Sequence, residues 1–307
     1  MAKNWPVLRE KLNDYLPDSA LVRGFVDITY RFGDNPHLRS NIYIPRGTSS
    51  STLVVVTKAC SSDKIQSLSL FWDPNIESDG AVAHLLSSIP SWDWEKPVYF
   101  NFIPELLMKK LDEILRRENL GGSRMWRDKC IHASSLKFRE GSAKNYKVSG
   151  FTEKPLHANA VTAVYDNGGC NFSETKDGVS ACITHLPSVG IYGDQENQNH
   201  DQVNPNGSLV SWVMMNKYGF SGNLFTVPEF RGQGLAQFAY WAMSERLKAA
   251  GIPFFVIISD ENPKSREFHH KIGFEKACDH DSYFHLPQGM TSNDMLKRLQ
   301  GGRCVKC

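Results

Sequence analysis

The sequence predicts an α+β fold, an α/β sandwich in which short apolar strands alternate with amphipathic helices. The first observation is a β-prone apolar run at residues 224–227, followed by a glycine-containing turn and apolar side chains at helical spacing up to Leu247. The second is a continuous apolar run at residues 254–258, which is long enough for a buried strand. With 307 residues and a hydrophobic content of 41%, the chain can bury a sizeable core.

The chain divides at its most linker-like stretch, residues 140–145, which read Glu-Gly-Ser-Ala-Lys-Asn. A length of 307 residues fits one large domain or two ordinary ones. We therefore expect an N-terminal α/β domain over residues 1–142, a C-terminal domain over residues 143–290 and a tail over residues 291–307.

The N-terminal half is expected to be rich in strands. Imperfect alternation predicts one strand at residues 21–30. Further apolar runs predict strands at residues 41–44, 53–56, 68–72 and 97–102. Helical spacing predicts helices within residues 1–16, 81–86 and 105–118.

The C-terminal half begins with an expected strand and helix that run from residue 151 to a break at residues 166–169. A second helix is expected near residues 179–185. Two strands are then expected at residues 189–192 and 209–215, with a long polar loop at residues 193–207 between them. A last strand is expected at residues 283–286.

Charge and hydropathy exclude several partner classes. The formal net charge is +2 and no basic patch is visible, so a nucleic-acid partner is not expected. No apolar run is long enough to span a bilayer, and the N-terminus is not a secretory signal. We expect a protein of the cytoplasm or the mitochondrion, and the sequence leaves its oligomeric state open.

Seven scattered cysteines fit a reducing compartment. Cys304 and Cys307 form one C-x-x-C pair at the end of the chain, without the second pair that zinc normally requires. We therefore expect a disordered tail here and no metal site.

The turn after the strand at residues 224–227 carries the strongest functional signal. Arg231, Gly234 and Ala236 fit the pattern Gln/Arg-x-x-Gly-x-Gly/Ala, and the helix that follows presents free amides and a positive dipole end to a phosphate. No Lys-Ser/Thr pair follows the glycines, so this is not a Walker loop. The turn resembles the acyl-CoA loop of the GNAT superfamily of N-acyltransferases.

A second stretch strengthens the resemblance, because GNAT proteins carry a similar series after the next strand. The matching residues are Asn262, Ser265, Phe268, Lys271, Gly273 and Phe274. Within the superfamily, residues 183–275 resemble the glycine N-acyltransferase family, including the segment Thr-Val-Pro-Glu-Phe-Arg at 226–231. The resemblance implies a GNAT fold in the C-terminal half and a diverged GNAT-like domain in the N-terminal half.

The resemblance also implies roles for individual residues in binding acyl-CoA, the co-substrate. Backbone groups that would align the pantetheine arm belong to Phe225, Thr226 and Val227. Residues that would hold the pyrophosphate are Arg231, Gly232, Gln233, Gly234, Leu235 and Ala236. Contacts to the pantetheine or the adenosine would come from Asn262, Ser265 and Phe268. For Asn262, the N-cap of a helix is an equally good interpretation.

The expected proton acceptor is missing. Glycine N-acyltransferases have a Glu early in the strand before the loop, and the corresponding position here is Phe220. His269 stands where GNAT proteins often have a Tyr, so it is our candidate acid or base; the alternative is a packed or solvent-facing helix residue. Tyr283 is a second candidate for the acid.

The family implies transfer of an acyl group from acyl-CoA to the amine of glycine or a related small amino acid, without a permanently bound cofactor. One alternative is a GNAT enzyme that acts on another amine, such as a polyamine or a protein. Another is an acyl-CoA-binding protein with weak or lost turnover, which the absence of the Glu favours.

Overall fold

Helices and strands alternate along the chain in the computed structural model, which describes residues 5–45, 51–59, 65–90, 92–120, 124–139, 146–168, 174–193 and 207–300. The helices are α1 Trp5–Asn13, α2 Ala20–Phe32, α3 Asp79–Ser87, α4 Glu105–Arg117, α5 Val161–Asn167, α6 Lys176–His185, α7 Leu235–Ala249, α8 Pro263–Lys271 and α9 Ser292–Gln300. The strands are β1 Asn41–Tyr43, β2 Val54–Ala59, β3 Gln66–Phe71, β4 Val98–Pro104, β5 Arg124–Phe138, β6 Phe151–Lys154, β7 Ser188–Gly193, β8 Ser208–Met215, β9 Ser221–Thr226, β10 Phe255–Ser259 and β11 Phe274–Leu286.

Seven strands form one sheet in the order β1-β2-β3-β4-β11-β5-β10. β3 and β4 run parallel, and every other neighbouring pair is antiparallel. β10 and β11 follow the predicted domain boundary at residue 142, whereas the other five strands precede it. Because β11 lies between β4 and β5, hydrogen bonds from both of its edges cross that boundary. The two-domain division stays a prediction, and the larger sheet is built from both halves of the chain.

The other four strands form a second, antiparallel sheet in the order β6-β7-β8-β9. Helix α7 packs on this sheet through buried side chains that include Phe238 and Met243. Arg246 fixes the helix further, because its guanidinium pairs with Glu153 of β6 and donates to the Ser188 carbonyl of β7. β9 is an edge strand of the smaller sheet, and it contacts β10, an edge strand of the larger one.

Residues 21–30, predicted as a strand, instead lie in helix α2. The prediction was wrong because the apolar spacing fits one helical face better than alternation does. The buried apolar side chains on that face are Leu21, Val22, Phe25, Val26 and Ile28. Gly24 allows close packing, because a Cβ there would lie 2.2 Å from the Tyr218 carbonyl oxygen in the turn before β9. Helix α2 of the N-terminal half therefore packs directly on the C-terminal half.

The other strands and helices expected from the sequence are confirmed, with ends that differ by a few residues, except that the strand expected at residues 283–286 begins nine residues earlier, as β11 at Phe274. The sequence did not predict β5. Helix α9 lies in the predicted tail, but its Met295 is fully buried, so this segment is packed. The linker at 140–145, residues 194–206 of the polar loop and the cysteine pair Cys304 and Cys307 lie outside the described residues. Among the helices that the structure describes, none has the length and apolar character needed to cross a membrane.

Asp27 joins α2 to α1 through a buried ion-pair cluster. Its carboxylate is 3% exposed and lies 3.1 Å from both Arg9 of α1 and Arg31 of α2. We expect Asp27→Ala to lower the free energy of unfolding by about 3 kcal/mol, because it leaves two partly buried guanidinium groups without their partner. Urea unfolding followed by circular dichroism measures this loss.

The matched control is Asp79→Ala, which removes an aspartate that pairs with Arg117 at the surface. Both partners of that pair are more than a third exposed and screened by solvent, so its loss should cost much less than the loss of the Asp27 cluster. Equal losses in the two variants would show that the Asp27 cluster does not stabilise the packing of α1 on α2.

Candidate functional site

The loop between β9 and α7 has an unusual backbone. Pro228–Phe230 forms a short 3₁₀ turn, after which Gly232 and Gly234 adopt left-handed conformations with φ of +79° and +81°. Gly234 is the N-cap of α7 and supplies no side-chain cap. Within the described part of the chain, the amides of Gly232, Gln233 and Gly234 have no hydrogen-bond partner. The first-turn amides of the helix also lack partners of their own, so the loop presents a row of open donors.

Arg231 places a positive charge beside these amides. Its Nε donates to the Thr226 carbonyl at 3.0 Å, and its guanidinium lies 5.6 Å from the centre of the Phe225 ring. The side chain is exposed, and its hydrogen bond uses Nε rather than the two terminal nitrogens. An arginine held in this way can donate two hydrogen bonds to a phosphate.

β9 offers a free strand edge next to the loop. One edge pairs with β8, and the Ser211 hydroxyl reinforces that side through bonds of 2.9 Å to the Phe225 carbonyl and 2.8 Å to the Thr226 hydroxyl. The Phe225 ring stacks on Trp212 with centroids 4.8 Å apart. Among the strands that the structure describes, none pairs with the other edge of β9. Backbone groups of Phe225 and its neighbours can therefore pair with an extended ligand.

The second motif runs from the N-cap of α8 to the first residue of β11, and the main contacts of Asn262, Ser265 and Phe268 are structural. The Asn262 side chain accepts a hydrogen bond from the Ser265 amide at 3.1 Å, which makes it the N-cap of α8. This confirms the N-cap interpretation of Asn262. Phe268 is half-buried and packs beside Tyr240 of α7. Roles for Asn262, Ser265 and Phe268 in binding a coenzyme stay predictions.

His269 is buried, with only 4% of its surface exposed. Its Nδ1 lies 2.6 Å from the Ser265 carbonyl, and its Nε2 lies 2.8 Å from the Tyr240 hydroxyl. A carbonyl only accepts, so Nδ1 carries the proton and Nε2 accepts from Tyr240. Burial lowers the pKa of His269, against the opposing effect of the Ser265 carbonyl. In this conformation the imidazole fixes α8 on α7, as a packed helix residue would, and its catalytic role stays a prediction.

Tyr283 lies in a different core cluster from His269. It is fully buried on β11, and its ring stacks on Phe100 of β4 with centroids 4.9 Å apart. His269 instead contacts Tyr240 and Phe274 of the cluster beneath α7. The structure therefore does not bring the two predicted catalytic residues together, and the role of Tyr283 also stays a prediction.

Phe220 stands at the position where glycine N-acyltransferases have a Glu. It directly precedes β9 and is 2% exposed. Its ring contacts that of Phe255 at the start of β10, with centroids 6.0 Å apart. The two strands therefore touch at this end through aromatic side chains, and β9 presents no carboxylate there.

Tyr146 is a site residue that sequence reasoning missed. Its half-buried ring packs on the same cluster as α7. Its hydroxyl lies 2.2 Å from the position that a Cβ on Gly234 would occupy, so it borders the row of open amides. No local pattern connects residues that are 88 positions apart in the printed sequence (234 − 146), so only the folded chain reveals this contact.

Part of the C-terminal half is similar in sequence to a known protein family and to several acyltransferases. Residues 202–284 match the family model described as FR47-like protein. Residues of the chain are 34% identical over 101 positions to human glycine N-acyltransferase-like protein 2, covering 33% of this chain and 30% of that protein. They are 29% identical over 77 positions to rat glycine N-acyltransferase, covering 25% of this chain and 22% of that protein. The matches thus span less than a third of these relatives' own lengths.

Solved structures extend the similarity of fold to nearly the whole chain. A Drosophila protein solved by structural genomics superposes with a TM-score of 0.71 at 17% identity, covering 93% of this chain and 96% of that one. A tandem GNAT protein from the clavulanic acid biosynthesis pathway superposes with a TM-score of 0.55 at 11% identity, covering 90% of each chain. Together with the family model matched at residues 202–284, these likenesses show that the chain has a GNAT fold.

Proposed function

We propose that the chain transfers an acyl group from acyl-CoA to the amino group of glycine or a related small amino acid. The observation that carries the proposal is the loop in which Gly232 and Gly234 are both left-handed and leave a row of amides open at the start of α7. Such amides suit a pyrophosphate, and Arg231 adds a positive charge beside them. The names of the human and rat relatives support a glycine-type acceptor.

The position of the pyrophosphate determines where the rest of the coenzyme lies. With the pyrophosphate on residues 231–236, the pantetheine arm extends along the free edge of β9, where the backbone of Phe225, Thr226 and Val227 pairs with it as an added strand would. β9 and β10 contact each other but do not pair, and the space between these two edge strands, which we call the gap, then receives the thioester. On this arrangement Asn262, Ser265 and Phe268 border the coenzyme from the side of α8.

The chemistry asks little of the protein beyond placement, because the thioester is already activated. The amine nitrogen attacks the thioester carbonyl, a C–N bond forms, the C–S bond breaks and CoA leaves as the thiol. The amine must also lose a proton. His269 and Tyr283 are the proposed acid–base groups, and His269 would first have to release the Tyr240 hydroxyl to expose Nε2.

A second candidate function is acyl-CoA binding with weak or lost turnover. Two observations favour it: Phe220 replaces the carboxylate of the family with a buried ring, and both ring nitrogens of His269 already have partners. A third candidate is transfer to another amine, such as a polyamine or a protein, because the acceptor class rests on the names of the relatives alone.

Calorimetric titration with CoA and acetyl-CoA, followed by a thiol-release assay over amino acids, polyamines and peptides, separates these candidates. Thiol release with glycine or a similar amino acid supports the proposed function. Release only with a polyamine or a peptide supports the third candidate, and binding without release supports the second. Absence of CoA binding would exclude all three.

Arg231→Ala should weaken CoA binding by about tenfold, which is the expected loss of one charge-assisted hydrogen bond to a phosphate. Isothermal titration with CoA measures the change, and the effect should shrink at high salt. Arg117→Ala is the control, since Arg117 is an exposed arginine on α4 whose partners are Asp79 and Glu118. Equal affinities for the Arg231 variant and the wild type would contradict a phosphate contact.

A further inference from the structure

The gap between β9 and β10 is closed at one end by two aromatic side chains. Phe220 precedes β9 and Phe255 begins β10, and they are 2% and 4% exposed. Their ring centroids lie 6.0 Å apart, with the ring planes inclined at 58°. Both rings belong to the core cluster that joins the two halves of the chain, so packing on several sides holds them in place.

The space behind these rings is very small. The cavity that they line, together with Gly219, Met215 and Asp27, has a volume of about 10 Å³. That is room for about one water molecule. Helix α2 packs closely against this region, because a Cβ on Gly219 would lie 2.6 Å from the Cα of Gly24. An acyl chain that reached this point would find no room to extend.

The proposed position of the coenzyme directs the acyl group to this end of the gap. The pyrophosphate lies on the loop after β9, at the end of the strand opposite Phe220. β9 has six residues and spans about 20 Å. The pantetheine arm therefore runs back along the strand, and the acyl group at its tip points toward Phe220 and Phe255.

We propose that Phe220, backed by Phe255, is a specificity-determining residue that limits the transferred acyl group to the size of acetyl. The inference rests on the proposed function, because it needs the coenzyme to lie along β9. The aromatic ring acts as a steric wall at the end of the gap. Acyl groups with longer chains or rings are excluded because neither the wall nor the packed helix behind it can move away without opening the core.

The test is calorimetric titration of the intact chain with CoA, acetyl-CoA, hexanoyl-CoA and benzoyl-CoA. The wild type should bind CoA and acetyl-CoA with similar affinity and should bind the two larger thioesters at least about tenfold more weakly. Phe220→Ala should bring benzoyl-CoA and hexanoyl-CoA to within about threefold of acetyl-CoA. Phe220→Leu, which removes fewer atoms and keeps the core filled better, should give an intermediate ratio.

Phe71→Leu is the matched control, because Phe71 is about equally buried but its ring packs with Tyr15, and its strand β3 is separated from β10 by β4, β11 and β5 in the larger sheet. It should lower stability without changing the ratio among the thioesters. If the wild type binds CoA and all thioesters alike, or if both Phe220 variants keep the wild-type ratio, the inference is wrong while the proposed function stands. If the wild type does not bind CoA, the proposed function itself fails.

Discussion

Gly234→Val is expected to weaken CoA binding at least about 100-fold while the fold is retained. Gly234 has a φ of +81°, which a β-branched residue adopts only with strain. A Cβ at this position would also lie 2.2 Å from the Tyr146 hydroxyl, so the tyrosine or the loop would have to move. A shift of the loop that relieves the backbone strain turns the amides of Gly232, Gln233 and Gly234 away from a common ligand. Isothermal titration with CoA measures the loss.

Gly251→Val is the control for backbone strain, because Gly251 lies just beyond the other end of α7 and has a φ of +64°. Nothing lies within 4 Å of a Cβ built there. We expect this variant to lose about 1–2 kcal/mol of stability and to bind CoA like the wild type. Tight CoA binding by the Gly234 variant would refute the assignment of the loop, and an equal loss in both variants would assign the effect to general destabilisation.

Acid is expected to destabilise the protein through two buried histidines of the central strand β11. His280 and His285 are 1% and 2% exposed, and burial lowers the pKa of each to about 4. The Asp18 and Asp279 carboxylates and the Phe102 carbonyl partly oppose this effect at His280, and the Leu120 carbonyl does so at His285. Both imidazoles are therefore neutral in the folded chain at neutral pH.

The direction of the pH dependence follows from the pKa values in the two states. In the unfolded chain a histidine has a pKa near 6.5, so between pH 6.5 and pH 4 the unfolded chain binds protons that the folded chain does not. The free energy of unfolding is thus not reduced by these histidines above pH 6.5, and it falls as the pH drops from 6.5 to 4. Each histidine contributes a loss of about 3 kcal/mol once the pH is below both values.

Urea unfolding at pH 7.5 and pH 4.5 measures this loss. His285→Phe should reduce the difference between the two pH values, because a phenyl ring keeps the edge contacts with Trp94 and Phe100 and takes up no proton. His84→Gln, at an exposed position of α3, is the control and should leave the difference as it is in the wild type. An unchanged difference in the His285 variant would show that burial of this imidazole does not drive the acid sensitivity.

The local pattern of apolar residues was sufficient to predict most helices and strands, but it gave the wrong prediction for α2. The helix over Glu105–Arg117 and the strand–loop–helix unit around Arg231 each carry a periodicity that a short window can read. The segment at residues 21–30 has apolar residues on adjacent positions, which fits a strand or a helix when no partner is known. Packing of Gly24 on the Tyr218 carbonyl favours the helix. That contact joins parts of the chain that are far apart in sequence.

The candidate site was predictable to the same extent. The pattern of Arg231, Gly234 and Ala236 identified the loop. Left-handed backbone conformations favour glycine, so this feature is encoded by residues that are close together in the sequence. The surroundings of His269 were not predictable. Its Nε2 is taken by Tyr240, which lies 29 positions earlier on another helix, and no spacing rule relates the two.

The sequence by itself determined the superfamily resemblance, the position of the loop after β9 and the absence of a carboxylate at Phe220, since each depends on neighbouring residues. Only the tertiary structure decided that Tyr146 borders the loop, that His269 and Tyr283 lie in separate clusters and that the Phe255 ring contacts the Phe220 ring. The physical reason is that side chains meet through packing between elements, and contacts across distant positions are not encoded in any short window of the chain.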